Sequence, residues 1–178
     1  TGLRARGDLR FKDKDFQGAI EAYTLLLQLR EARPGALRSE KTAAYANRAA
    51  CHMGLSDFGA SVDDCHRALA LQLKGTGSSA DEVHAMVEQL VQDAGSCQQP
   101  QGEWGAGGAM RASLARLLAR RATALGHLKR YKLAAQDYAS SAKLQRNGGN
   151  AALAEQLESD LAVMLQMEQE HSSVNSEL

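Results

Sequence analysis

The sequence predicts an all-α fold built from helical hairpins that repeat along the chain. Only two of the 178 residues are proline, so helices can run through almost the whole sequence. Alanine, leucine, glutamine, glutamate and arginine are abundant, and these residues favour helix. Small and aromatic residues also recur at matching distances, which is typical of stacked helical repeats. We therefore expect a single domain, residues 1–178, without a sheet.

Three segments align on an aromatic anchor that follows a short polar turn, and these anchors are Phe16, Phe58 and Tyr131. A small residue precedes each anchor by nine positions, and an aromatic residue or a cysteine follows it by seven. The small residues are Gly7, Ala49 and Ala122, and the following residues are Tyr23, Cys65 and Tyr138. Each segment is thus predicted to contain a helix A, a tight turn and a helix B. The small residue on helix A allows helix B to approach closely.

The predicted repeats occupy about residues 2–32, 40–73 and 110–145. Their anchors are 42 residues apart (16 to 58) and 73 residues apart (58 to 131), longer than a repeat period of about 34. The first excess predicts a longer loop around Arg33-Pro34-Gly35, and the second predicts an insertion at about 74–108. Because the insertion is rich in glycine, we expect much of it to be flexible. Residues 81–93 within it have the apolar spacing of an amphipathic helix.

The remaining segments are predicted to cap the repeats or to stay loose. Residues 150–170 are expected to form a capping helix, because one side of a terminal repeat must be covered. Its apolar stripe consists of Leu153, Leu157, Leu161, Met164 and Leu165. The polar tail 171–178 is expected to fray. Trp104, in the insertion, is expected to be a loop residue or else an anchor for a partner. The chain begins inside a helical pattern, so we expect it to be a fragment of a longer protein.

Charge and motifs argue against several functional classes. The 21 basic and 21 acidic residues cancel, so no overall field favours nucleic acid or a membrane surface. Apolar runs are too short to span a bilayer. The three cysteines show no paired spacing, which suits a reducing cytoplasm. Cys51 falls in the middle of a predicted helix A, and Cys65 falls at a core position of helix B, where a small thiol packs well. No zinc-ligand spacing, nucleophile elbow or phosphate loop occurs, so we predict no metal, no cofactor and no enzyme activity.

Five polar residues on the predicted A helices form the candidate binding site. Arg116 and Arg120 are four positions apart on the third A helix and therefore share one face. Asn47 has the same repeat position as Arg120, and Arg4 and Asp8 form the corresponding stripe on the first A helix. Such donors suit a peptide that ends in a carboxylate, because arginine binds carboxylates with a planar fork. The alternative is that these residues are solvated surface charges.

The small and aromatic positions resemble those of the tetratricopeptide repeat family. The resemblance implies three helix-turn-helix repeats stacked in a right-handed solenoid, with the A helices lining a groove and a helix capping the C-terminal end. The polar residues resemble the carboxylate clamp of co-chaperone domains in that family. Arg4, Asn47, Arg116 and Arg120 match four of the five clamp positions. The fifth, an asparagine in the family, is Asp8 here, which places a negative charge where a terminal carboxylate docks.

Within that family, the chain is most similar to the C-terminal domain of axonemal dynein assembly factors, notably the type that pairs a CS domain with tetratricopeptide repeats. Residues 47–55 and the pairs Met110-Arg111 and Arg120-Arg121 carry this likeness, and a sperm-associated scaffold with several such domains is the next most similar. The resemblance implies a cytoplasmic adaptor in the preassembly of ciliary dynein arms. Its expected partners are the acidic C-terminal tails of the heat-shock chaperones of seventy or ninety kilodaltons, and dynein subunits or other assembly factors.

Two other functions stay open at this point. Residues 111–146 contain nine basic residues and one acidic residue, Asp137, so the third repeat could contact RNA or an anionic lipid surface. The absence of flanking aromatic residues for base stacking argues against single-stranded RNA. The chain could also be a scaffold for another protein or for a second copy of itself, with the capping helix or the insertion as the contact.

Overall fold

The computed structural model describes residues 2–31, 38–73, 79–96 and 107–176, and these residues form eight α-helices without a strand. The helices are α1 (Leu3–Lys12), α2 (Phe16–Glu31), α3 (Arg38–Gly54), α4 (Phe58–Gln72), α5 (Ala80–Ser96), α6 (Gly107–His127), α7 (Tyr131–Asn147) and α8 (Ala151–Ser176). The all-α prediction is confirmed. Trp104 and the loop Arg33-Pro34-Gly35 lie outside the described residues, so the predictions for them stay predictions.

The helices belong to two compact units, Thr1–Val83 and His84–Leu178, and the boundary falls inside α5. In the first unit α1 packs on α2, α2 on α3 and α3 on α4, and α1 also reaches α3. In the second unit α6 packs on α7 and α7 packs on α8. Each unit therefore contains antiparallel neighbours joined by short turns.

The turns that join helices A and B share one backbone geometry. Lys14, Ser56 and Lys129, each two positions before its aromatic anchor, have φ angles of 59°, 58° and 59°. In each turn the N–H of the next residue donates to the carbonyl oxygen five positions earlier, at 2.9 Å. These bonds join Asp15 to Arg10, Asp57 to His52 and Arg130 to Leu125. This is the Schellman end of a helix, which saturates carbonyl groups that the helix leaves open.

The small residues lie where the sequence predicts a close approach between helices. Gly7, Ala49 and Ala122 are all buried, and so are Ala19 and Ala134 on the B helices. A Cβ atom on Gly7 would lie 2.6 Å from Cε1 of Tyr23, so the ring occupies the space that a side chain would need. The prediction that small residues allow helix B to approach helix A is confirmed at these positions.

Buried arginine–aspartate pairs also link helix A to helix B. Nε and Nη2 of Arg121 donate to the two carboxylate oxygens of Asp137, both at 2.7 Å. Arg48 binds Asp64 in the same way, also at 2.7 Å. In both pairs the aspartate follows the arginine by sixteen positions. Arg48 also donates from Nη1 to Oγ1 of Thr24 at 2.9 Å, and this bond joins α3 to α2.

The predicted insertion contains a helix, as the apolar spacing of residues 81–93 predicts. Residues 74–78 and 97–106 lie outside the described residues, so the expected flexibility there stays a prediction. Helix α5 spans Ala80–Ser96, three residues beyond the predicted 81–93 at its C-terminal end. Val83 and Val87, one turn apart, are 0% and 1% exposed. Because full burial of a branched side chain stabilises a fold, these two valines are expected to contribute to stability.

The last helix is longer than the predicted cap, and it buries fewer of the apolar residues in the predicted stripe. Helix α8 runs to Ser176, so the tail expected to fray from 171 is helical up to that residue. Ala154 and Leu157 are buried, whereas Leu153 and Leu165 are exposed. The ring of His171 lies edge-on to Tyr131, the first residue of α7, with centroids 6.0 Å apart. This contact explains why the helix continues past 170, since α8 still has α7 beside it there.

None of the helices in the described residues is long and apolar enough to cross a membrane.

Removing Asp137 tests the contribution of the buried pairs. The side chains of Arg121 and Asp137 are 9% and 3% exposed, so Asp137→Ala leaves a charged guanidinium buried without its partner. We expect the free energy of unfolding to fall by about 3–5 kcal/mol in urea denaturation. The matched control is Glu158→Gln, which removes the exposed pair with Arg146 and is expected to cost less than about 1 kcal/mol. Equal effects of the two variants would contradict a structural role for the buried pair.

Shortening Val87 tests whether α5 is part of the core. Val87→Ala removes two buried carbon atoms, so we expect a loss of roughly 1.5 kcal/mol, at about 0.8 kcal/mol for each buried CH₂. The control is Val163→Ala on α8, where the side chain is 50% exposed. A melting temperature that changes for neither variant would show that α5 adds nothing to the stability of the fold.

Candidate functional site

Three of the five predicted site residues meet in the first unit, around the carboxylate of Asp8. The hydroxyl of Tyr23 donates to Oδ1 of Asp8 at 2.6 Å, and Nδ2 of Asn47 donates to the same oxygen at 3.0 Å. Nε of Arg4 lies 3.9 Å from Oδ2, one helical turn away. We call these four residues, Arg4, Asp8, Tyr23 and Asn47, the Asp8 cluster. It joins three helices, since Arg4 and Asp8 lie on α1, Tyr23 on α2 and Asn47 on α3.

The helices place these groups by simple register. Gly7 lies beneath the ring of Tyr23, so the next residue, Asp8, lies at the level of the phenol oxygen. A hydroxyl at the matching position of the third hairpin, Oγ1 of Thr123, lies 2.9 Å from the hydroxyl of Tyr138. Both contacts join a helix A residue eight positions before the anchor to a tyrosine seven positions after it. The contact between Asp8 and Tyr23 in the first hairpin is therefore equivalent to the contact between Thr123 and Tyr138 in the third.

Tyr23 is held in its neutral, proton-donating form. Burial raises the pKa of Tyr23 first, because removal from water disfavours the phenolate. The hydrogen bond to Asp8 and the negative charge of that carboxylate raise the pKa further. A phenol that keeps its proton remains a donor to Asp8, so the cluster keeps one arrangement across the neutral pH range.

The two exposed members of the cluster carry opposite charges. The side chains of Arg4 and Asp8 are 55% and 41% exposed, so both are accessible to a ligand from solvent. Oδ1 of Asp8 receives two hydrogen bonds, whereas Oδ2 has only the more distant Arg4 beside it among the described residues. The positive charge of Arg4 is therefore balanced within the chain by the carboxylate of Asp8.

The other two predicted site residues belong to the second unit. Arg116 and Arg120 lie one turn apart on α6, as predicted, and so share one face of that helix. Arg116 is exposed and Arg120 is partly buried. The next residue, Arg121, faces inward to Asp137. Adjacent arginines on α6 thus have different environments, since Arg121 is buried and Arg120 is partly buried.

The buried partners of Arg48 and Arg121 were not identified from the sequence. The hydrogen bonds that Arg48 donates to the carboxylate of Asp64 raise the pKa of Arg48, which keeps its positive charge despite partial burial. The guanidinium of Arg48 also lies 5.4 Å from the ring centroid of Tyr45, and Arg67 lies 5.8 Å from the same ring. The sequence does contain a signal for these pairs. In two of the three segments an arginine lies ten positions before the aromatic anchor and an aspartate lies six positions after it.

Neither metal binding nor thiol chemistry is indicated by the described residues. Among them, no three histidine, cysteine, aspartate or glutamate side chains are grouped so as to hold a metal ion. Cys51 and Cys65 are fully buried and form no disulfide, and Cys65 lies at the core position predicted for it. Cys51 packs in a cluster with Ala19 and Tyr23.

No model of a known protein family matches the chain.

Replacing Tyr23 by phenylalanine tests the cluster through its pH dependence. A tyrosine whose pKa is raised on folding gives stability that is present below the unfolded value, about 10, and is lost at higher pH. At pH 7 we expect Tyr23→Phe to cost about 0.5–1.5 kcal/mol through the lost hydrogen bond. Above about pH 10 the wild type loses stability to ionisation of this group and the variant does not, so the difference narrows. Urea denaturation of both proteins at several pH values measures the difference in their free energies of unfolding. A difference that stays constant with pH would contradict a raised pKa of Tyr23.

Proposed function

We propose that the chain is an adaptor of the tetratricopeptide type that binds a peptide and has no catalytic role. The observation that carries this proposal is the shared turn at Lys14, Ser56 and Lys129, with the same hydrogen bond and the same offset from an aromatic anchor. An arbitrary helical bundle has no reason to repeat a strained φ angle at matched positions, because each such residue costs about 1–2 kcal/mol. The proposed architecture is three hairpins in a right-handed solenoid, with α8 as the cap.

We propose that the ligand is an acidic C-terminal peptide, of the kind that ends the heat-shock chaperones of seventy or ninety kilodaltons. Arg116 and Arg120 are assigned to its carboxylates, because two guanidinium groups on one helical face can bind them with paired hydrogen bonds. Arg4 and Asn47 are assigned to the terminal carboxylate. This assignment is supported by the position of Arg4 and Asn47, which both lie beside one carboxylate, that of Asp8.

The cellular role that we propose follows from the resemblance described above. An adaptor that holds a chaperone tail and lies in a larger assembly factor would bring the chaperone to dynein subunits in the cytoplasm before ciliary dynein arms are built. Other assembly factors are further proposed partners.

A second candidate is a scaffold for a partner other than a chaperone, or for a second copy of this chain. It is favoured by the exposed apolar side chains of α8, among them Val163, Leu165 and Met167. Light scattering of the purified chain measures self-association. Binding of nucleic acid by the third segment is less favoured, since Arg121 is buried on Asp137 and Arg146 pairs with Glu158. A salt titration of RNA binding tests that function, because phosphate contacts weaken steeply with salt.

Replacing Arg120 tests the proposed ligand. Arg120→Ala is expected to weaken the binding of a peptide ending in Glu-Glu-Val-Asp by about 1.5–3 kcal/mol, the range for hydrogen bonds to charged groups. The control is Lys143→Ala, which removes an exposed positive charge from α7 and is expected to leave the affinity unchanged. Calorimetry with a free-acid and an amidated peptide measures both variants. Equal affinity of the wild type for the two peptides would contradict recognition of a terminal carboxylate.

A further inference from the structure

We propose that Asp8 is an internal competitor for the ligand, which determines how strongly the first unit binds a terminal carboxylate. The inference rests on the proposed function, because it concerns the same donors. Asp8 is a carboxylate of the chain itself, and it already receives the amide of Asn47 at 3.0 Å. An incoming carboxylate must therefore displace Asp8 from Asn47, or bind without that donor.

The geometry commits the amide of Asn47 to Asp8 and places the charge of Arg4 beside it. Nδ2 of Asn47 lies 3.0 Å from Oδ1 of Asp8 and 3.5 Å from the hydroxyl of Tyr23, so the amide points into the cluster. Nε of Arg4 lies 3.9 Å from Oδ2, which places its charge beside the same carboxylate. The hydroxyl of Tyr23 donates to the same oxygen, Oδ1 of Asp8, at 2.6 Å. A ligand therefore meets an arrangement in which the amide of Asn47 is occupied and the net charge of Arg4 and Asp8 is zero.

Asp8 opposes a carboxylate ligand through two physical effects. Its charge repels the ligand, since like charges brought together in an interface disfavour binding. It also removes hydrogen-bonding capacity, because a donor already paired gains little by exchanging one carboxylate for another. Both effects act on a free C-terminal carboxylate and act more weakly on an amidated end, which is neutral and itself donates hydrogen bonds. Asp8 thus sets selectivity as well as affinity.

Asp8→Asn is the variant that removes the competing negative charge with the least change of shape. The asparagine retains a carbonyl oxygen that can accept from Tyr23, and its amide adds a donor. We expect the affinity for a free-acid peptide ending in Glu-Glu-Val-Asp to rise about tenfold. Affinity for the amidated peptide should change less. The gain should shrink at high salt, because the charge it removes is partly exposed.

Two further variants separate the causes. Asp8→Ala removes both the charge and the acceptor, and so releases Asn47 and Arg4 without adding an amide; if competition is the cause, the affinity for the free acid should rise in this variant too. Asp63→Asn, on α4, removes an exposed negative charge from the same unit away from the cluster, and it is expected to leave the affinity unchanged. Melting temperatures of all three variants confirm that the fold is retained.

A measurement without ligand tests the internal contact directly. The side-chain amide protons of Asn47 are protected by Asp8, so their exchange with water in nuclear magnetic resonance spectra should be faster in Asp8→Ala than in wild type. Exchange that is unchanged would overturn the competition.

The outcomes of the binding experiment are distinguishable. Tighter binding of the free acid by Asp8→Asn, with Asp63→Asn like wild type, supports the proposal. If the wild type binds the free acid and Asp8→Asn binds it equally or more weakly, the internal competitor is wrong and the proposed function stands. If neither protein binds the free acid, both are wrong.

Discussion

The turn between helices A and B is the constraint on which the rest of the structure depends. Its reversal places one residue in the left-handed region, at Lys14, Ser56 and Lys129, and closes with a hydrogen bond across the helix end. The chain therefore returns beside itself within three residues, and the two helices face each other in a fixed register. Every contact between them, apolar or polar, is determined by that register, because a change in the turn would rotate one helix against the other.

The same register produces both the packing and the candidate site. Where Gly7 allows the ring of Tyr23 to lie against α1, the phenol oxygen reaches Asp8, and α3 adds the amide of Asn47. A polar cluster at the junction of three helices is thus a consequence of close helix packing and needs no loop to build it. Since the groups come from rigid elements, the cluster is already organised before a ligand arrives, which reduces the entropy lost on binding.

Several charges among the described residues are compensated inside the units. Arg48 and Arg121 each form an ion pair with an aspartate on the following helix. Asp8 accepts hydrogen bonds from Tyr23 and Asn47 and lies beside Arg4. Buried pairs of this kind add little net stability over apolar residues, but they penalise any register in which one partner is left alone. The neutral overall composition is therefore a poor guide to the local fields, which depend on which charges remain exposed, such as that of Arg116.

The sequence alone determined the all-α class, the aromatic anchors and the small residues beneath them, because helix propensity and the spacing of close contacts are local properties. It also indicated which five polar residues to examine. Only the tertiary structure decided that Val83 and Val87 are buried, since burial depends on what lies against a helix. It likewise decided that Asp8 binds Asn47, thirty-nine positions away along the chain, and is not a free charge. The pairing of an acceptor with a distant donor follows from helix packing, which no local pattern of residues specifies.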